Sequence, residues 1–201
     1  MNMNLLLPAL IFFISYLAGS ISSAIIVCRA FGLPDPRTTG SNNPGATNVM
    51  RLGGKKAAII TLVGDLLKGL IPVAIVNLLA LSPLALALSA LGAFLGHLFP
   101  IFFGFKGGKG VATAFGAILG LSPLVALCAF GTWILVFLTT KISSLSALTA
   151  AVLAPLFLYL FKAPFEIVIV VIMMDLLLIY RHKANISRLL KGEEGKMNLK
   201  K

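Results

Sequence analysis

Two short stretches concentrate polar donors with almost no acids beside them. Gly40 to Lys56 reads GSNNPGATNVMRLGGKK, and Gly104 to Thr113 reads GFKGGKGVAT. In the first, Asn43-Pro44-Gly45 disfavours helix and lets successive backbone N–H groups converge, while Ser41, Thr47, Asn48 and Arg51 add side-chain donors. Donors without carboxylates suit an anion. In the second, Lys106, Gly107, Gly108, Lys109 and Gly110 precede an apolar run, so backbone donors and the positive end of a helix that includes Thr113 meet two ammonium groups. That is the make-up of a phosphate cradle, but not of a Walker A loop. Gly104 and Gly108 enclose only three residues, and Lys109 is followed by Gly110 rather than Ser or Thr, so ATP hydrolysis is not indicated. Each stretch also has a plainer reading, a solvated basic loop for the first and a tight turn between helices for the second.

A third segment, Arg181 to Glu194, reads RHKANISRLLKGEE. Helical continuation from the preceding apolar run puts Arg181, Asn185 and Arg188 on one face at i, i+4 and i+7, with His182 beside Asn185. The alternative is a basic interfacial helix drawn to anionic headgroups. Neither His97 nor His182 opens an H-x-x-x-x-D arrangement, and the carboxylates near these segments are Glu193 and Glu194, so neither a metal nor a cofactor is expected. Within the apolar runs, Asp65 and Lys68 stand three residues apart and can pair. Asp175, roughly two turns before Arg181, is expected to hold a cation from the basic segments. On a straight helix His97 lies about 13 Å from Lys106, out of its reach unless Pro100 bends the chain. Cys28 and Cys128 lie in apolar runs without C-x-x-C spacing and read as inert.

These residues must be positioned by membrane helices. Hydrophobic residues make up 59% of the 201-residue chain and charged ones 11%, far from soluble composition. The apolar segments run Leu5 to Ala30, Ala57 to Leu81, Leu84 to Phe105, Val111 to Leu121, Leu124 to Thr140, Ser143 to Phe161 and Phe165 to Tyr180. The fold expected is therefore all-α, a polytopic membrane protein forming a seven-transmembrane-helix bundle as a single domain over residues 1–201. MNMNLLLPALIFF lacks the positive n-region of a cleaved signal and reads as the start of the first span. With the N-terminus outside and the C-terminus cytoplasmic, fifteen of the 17 Lys and Arg residues fall inside. Only Lys162 then lies outside, and Lys68 is intramembrane. The fourth span covers only ~16 Å, so it is expected to begin in the loop near Gly108. LSP at 121 to 123 is either a kink or a turn, and the outer connections look almost featureless. A net charge of +11 does not imply nucleic acid, because most cations border apolar spans and few aromatics interleave with them.

SNNPGATNVMR, GHLFPIFFGFKGGKGVAT and RHKANISRLLKGEE resemble, in order, the three signature segments of the bacterial acyl-phosphate:glycerol-3-phosphate acyltransferases. The resemblance covers most of the chain. It implies transfer of a fatty acyl group from acyl phosphate to the sn-1 hydroxyl of glycerol 3-phosphate, giving 1-acyl-glycerol 3-phosphate and phosphate, the first step of phospholipid synthesis. It also implies a place in the bacterial inner membrane with the active site on the cytoplasmic face. The expected partners are the two substrates, membrane lipids and the enzyme that makes acyl phosphate, with no nucleic acid. Catalytic roles fall on Ser41, Arg51, Lys109, His182 and Asn185, while Glu194 matches a position read as structural. An acyl phosphate carries a good leaving group, so a covalent acyl-enzyme is not required. Two candidates take the acceptor proton, His182 and the donor's own phosphate, and the shortage of carboxylates favours the phosphate. Two other readings stand beside this one: a small transporter of an anionic phosphorylated metabolite, and a structural subunit that binds anionic lipid.

Overall fold

The computed structural model describes residues 3–196, and these are helical with no strand. They pack as two compact units divided between Leu121 and Ser122. The first contains α1 (Met3–Gly19), α2 (Ser23–Ala30), α3 (Ala46–Leu78), α4 (Pro83–Leu98), a 3-10 turn (Ile101–Phe103) and α5 (Val111–Leu121). The second contains α6 (Pro123–Thr140), α7 (Ser143–Leu160), α8 (Phe165–Arg181) and α9 (Lys183–Leu190).

Among the described residues, five stretches are long and apolar enough to cross a bilayer: Leu5–Ala30, Ala46–Leu78, Pro83–Phe103, Pro123–Thr140 and Ser143–Leu160. Val111–Leu121 is apolar but shorter, and Phe165–Arg181 has 17 residues. The faces of α3 are inverted relative to a soluble helix. Leu62, Val63, Ile71 and Ile75 point outward, Leu62 at 47% exposure, whereas Thr61, Asp65 and Lys68 are buried, Asp65 at 3%. Hydrocarbon outside and polar groups inside is the arrangement a lipid solvent selects.

Several boundaries depart from the sequence expectation. The first apolar run is not one helix but two, broken at 20–22. Helix α3 starts at Ala46 rather than Ala57, because Gly45 lies extended before it and its carbonyl accepts from Val49 N at 3.1 Å. Only Gly54 in α3 leaves helical geometry, with φ 74° and ψ −171°. Helix α5 begins at Val111 and gains no length from the glycine loop. At both LSP sequences a serine and proline open the following helix, α4 and α6. Ser82 and Ser122 accept from Ala85 N and Val125 N at 3.3 and 3.4 Å, and the following proline sits in the first helical turn, where its missing N–H costs nothing.

Close backbone approach joins α3 to α5. A Cβ at Gly69 would lie 2.1 Å from the Thr113 carbonyl oxygen, and one at Gly116 2.1 Å from that of Leu66. Asn77 Nδ2 adds a 2.9 Å bond to the Gly120 carbonyl. Helices α1 and α4 meet across a 2.9 Å Ser15–Ser89 hydroxyl bond. In the second unit, α7 buries Ala147, Ala151 and Ala154, small residues of the kind that let membrane helices pack tightly.

Candidate functional site

The first donor-rich stretch is organised by Asn48, a residue 1% exposed on the first turn of α3. Its Oδ1 accepts from Ser41 N at 2.9 Å, and its Nδ2 donates to the carbonyls of Pro36 and Thr39 at 3.0 and 2.9 Å. Asn48 was expected among the groups that contact substrate. Instead both ends of its amide bind the chain, and it fixes the loop that presents the exposed Ser41. Asn43 and Gly45 are half-buried beside it, while Thr47 and Arg51 are exposed. Arg51 therefore projects from a helix, not from the loop the sequence suggested.

The second stretch returns onto the end of α4. Helix α4 ends at Leu98, ahead of Pro100. After the 3-10 turn, Gly104 and Phe105 both take positive φ, 67° and 59°, and reverse the chain. Gly108 N then donates to the His97 carbonyl at 3.2 Å. A Cβ at Gly107 would lie 2.0 Å from that same oxygen, and one at Gly108 2.3 Å from His97 Nε2 and 3.0 Å from the Pro44 carbonyl. Glycine is required here by proximity, and Gly108 brings the first and second stretches together. The bend at Pro100 thus places His97 at the loop. Lys106 is exposed, Lys109 half-buried, and Gly110 buried. Thr113, also expected to meet substrate, is wholly buried and donates Oγ1 to the Asp65 carbonyl at 2.9 Å.

Buried charge underlies this loop. Lys68 Nζ lies 2.9 Å from Asp65 Oδ1, the pairing its spacing predicted. It also donates to the Ile21 carbonyl at 2.9 Å, covering a carbonyl left open where α1 and α2 separate. His97 Nδ1 lies 3.6 Å from Asp65 Oδ1.

A second support escaped the sequence reading. Arg37 pairs with Asp35 at 2.6 Å and sends Nη1 to the Phe103 carbonyl at 3.0 Å, while Arg29 lies 5.9 Å from the centre of the Phe103 ring. Arg37's side-chain hydrogen bond holds the Asp35 carboxyl below its ordinary value. The signal was PDPR, in which a rigid turn aims an acid and a base at each other.

In the second unit, α8 and α9 are separated at His182, so the expected continuous helix is interrupted there. The His182 ring is buried, with Nδ1 2.8 Å from the Leu178 carbonyl. Glu194 gathers the rest. Its Oε1 accepts from Asn185 Nδ2 at 2.5 Å and Ser144 Oγ at 2.6 Å, and its Oε2 from Arg188 Nε at 2.6 Å. Burial pushes the Glu194 carboxyl up, but the bonds from Ser144, Asn185 and Arg188 outweigh it and leave it below the ordinary glutamate value. Arg181 is half-buried at the end of α8. Asp175 departs from expectation. It is buried, and its Oδ2 meets no hydrogen-bond partner among the described residues.

Helices with apolar exteriors around buried polar groups define an integral membrane protein, one whose connecting loops are acid-poor and backed by glycine. Residues 9–192 match the family model described as glycerol-3-phosphate acyltransferase, and the chain belongs to that family. It is 57% identical over 187 residues to the glycerol-3-phosphate acyltransferase of Methylococcus capsulatus, covering 93% of this chain and 94% of that one. It is likewise 57% identical to that of Thioalkalivibrio sulfidiphilus, over 92% of each chain. Among solved structures it is similar to PlsY (YgiH), an integral membrane glycerol 3-phosphate acyltransferase, in its glycerol 3-phosphate form. The TM-score is 0.90 at 40% identity, over 95% of this chain and 96% of that one. The lysophosphatidic acid form of the same enzyme gives 0.87 at 39% identity, over 95% of each chain.

Proposed function

We propose that this protein transfers a fatty acyl group from acyl phosphate to the sn-1 hydroxyl of glycerol 3-phosphate, releasing phosphate and 1-acyl-glycerol 3-phosphate (lysophosphatidic acid). The observation that carries the reading is the Gly107–Gly110 loop. It is pressed against the end of α4 and beside Pro44, with Lys109 within it. Both substrates carry phosphate, and a basic loop whose glycines let it pack tightly on the end of α4 can hold a phosphate beside the Lys109 ammonium.

In this scheme Lys109, Arg51 and the loop N–H groups hold phosphate and the negative charge that develops on the acyl oxygen. Lys106, Gly107, Gly108 and Gly110 line the cradle. Ser41, presented by Asn48, aligns the reacting groups, and His182 and Asn185 orient the acceptor. The acceptor oxygen forms the ester bond, the acyl carbon–phosphate oxygen bond breaks, and the acceptor proton passes to the departing phosphate. Alignment and charge stabilisation supply the acceleration without a covalent intermediate. The chain works as one multi-pass domain of the inner membrane, with seven spans, an outside N-terminus and the loops facing the cytoplasm.

Purified protein in detergent, without added metal or coenzyme, should release phosphate only when both substrates are present. A requirement for acyl-CoA or acyl carrier protein in place of acyl phosphate would overturn the donor. Counterflow of glycerol 3-phosphate in proteoliposomes without phosphate release would mark a transporter instead. Single cysteines near Met1 and Lys201 should label from opposite sides of the membrane, and same-side labelling would overturn the span count.

A further inference from the structure

His97 stands between two things that sequence separates, a buried carboxylate and a surface loop. On one edge, its Nδ1 faces Asp65 at 3.6 Å. On the other, Nε2 lies where a Cβ on Gly108 would come within 2.3 Å, and the His97 carbonyl accepts from Gly108 N at 3.2 Å. The residue is 7% exposed, Asp65 3% and Lys68 9%, so this contact is made inside the helix packing. At 3.6 Å, beyond hydrogen-bond length, the carboxylate acts on the ring through its charge and so biases the ring's orientation. Asp65 also reaches the far side of the loop, since its carbonyl accepts from Thr113 Oγ1 at 2.9 Å in the first turn of α5. The loop is therefore gripped at Gly108 through His97 and just past Gly110 through Thr113, and both grips converge on one residue of α3. Lys68 completes the support, neutralising Asp65 at 2.9 Å while tying it to the α1–α2 break through Ile21.

We infer that His97 and Asp65 are positioning residues for the phosphate cradle: Asp65 orients His97, and His97 sets the height and angle at which the Gly107–Gly110 backbone and Lys109 are presented. This rests on the reading of that loop as the phosphate-holding element. A purely structural role would move only melting temperature. A positioning role moves substrate parameters as well, because a loop displaced by a few tenths of an ångström loses hydrogen-bond alignment with phosphate while the helices stay packed.

The test compares His97→Gln, His97→Ala and the paired variant Asp65→Asn/Lys68→Met with the full-length protein. The paired variant neutralises the ion pair as a unit, so that no lone buried charge is left. Detergent melting curves are recorded beside kcat and KM for glycerol 3-phosphate and acyl phosphate. The expected result is a fall in kcat/KM of about 10- to 100-fold for the paired variant and for His97→Ala, the range found when an orienting partner is lost. His97→Gln, whose amide places an N–H near the Nε2 position, should recover part of that loss. Combining His97→Ala with the paired variant should cost little more than either alone, since both break one linkage. Where a span variant fails to fold, His97→Asn, which keeps a polar amide but shortens the side chain, tests the same contact and should give the same kinetic loss with the spans intact. Lys109→Ala runs in parallel. If it is inactive while the His97 and Asp65/Lys68 variants all keep kcat/KM within about twofold of the parent, less than one lost orienting contact costs, this inference is overturned and the loop reading survives. If Lys109→Ala is itself fully active, the loop reading fails and the inference with it.

Discussion

The two donor-bearing regions are built on opposite principles. In the first unit, Ser41 and the glycine loop are fixed by backbone carbonyls, a buried amide and close glycine contact, with many supports per residue. In the second, Asn185, Arg188 and Ser144 converge on one carboxylate, Glu194. Distributed support resists any single change in solvent, whereas a single acceptor makes a region that one proton can release.

The largest expected effect tests the first region at its chemistry. Lys109→Ala should lower phosphate release by about 10² to 10³-fold while the protein stays folded. Lys109→Arg should restore little, since a planar fork does not replace a compact ammonium among glycines. Next, Ser41→Ala and Arg51→Ala should be at least as damaging as His182→Ala, whose loss should fall mainly on glycerol 3-phosphate saturation. Profiles of kcat and KM across pH 6 to 9 decide this. A dead His182→Ala beside fully active Ser41 and Arg51 variants would move the proton to His182. Asn48→Ala should cost about 1–3 kcal/mol of stability, because it strands two carbonyls and the Ser41 N–H, and it should cost activity too. Glu194→Gln should cost less, about 1–2 kcal/mol, since an amide keeps the shape but not the charge that Arg188 meets.

Acid acts on one carboxylate in each unit. Glu194 and Asp35 both have carboxyls held below their ordinary values when folded. Each contributes stability that is fully present above the unfolded value and is lost as pH falls through the folded one. Melting temperature should therefore drop as pH is lowered past the ordinary carboxylate range near 4. Glu194→Gln should flatten its share of that slope, and an unchanged slope would show that Glu194 is not the acceptor the second region depends on.

Much of this was legible in composition and spacing. Apolar length marked the helices, i,i+3 spacing marked Asp65–Lys68, and glycine with lysine marked the loop. What the sequence hid was direction. Asn48 looks like a donor for a ligand, and only folding shows that its amide closes the loop upon itself. His97 appeared out of reach of Lys106 unless Pro100 bent the helix; the helix stops ahead of Pro100, and the chain turns back at Gly104 and Phe105. Asp175 looked paired because two turns is a plausible span, but its Oδ2 lies buried without a hydrogen-bond partner among the described residues. PDPR carried a readable ion pair whose target, the Phe103 carbonyl, is 66 residues distant. Local pattern cannot supply a partner of that kind.

Gly54 bears on the bilayer itself. A continuous rod from Ala46 to Leu78, 33 residues and about 50 Å long, would act as a lever. Any tilt imposed by a thinner membrane on its apolar length would swing Arg51 at its far end. The residue at φ 74° and ψ −171° sits in a region of backbone space that is nearly glycine's alone, and it interrupts the rod between the span and the turns bearing Thr47 and Arg51. The direction of Arg51 is thereby set by the turns before the kink and not by the axis of the span. Turnover should accordingly vary little among bilayers of different acyl length, and should become thickness-dependent in Gly54→Ala.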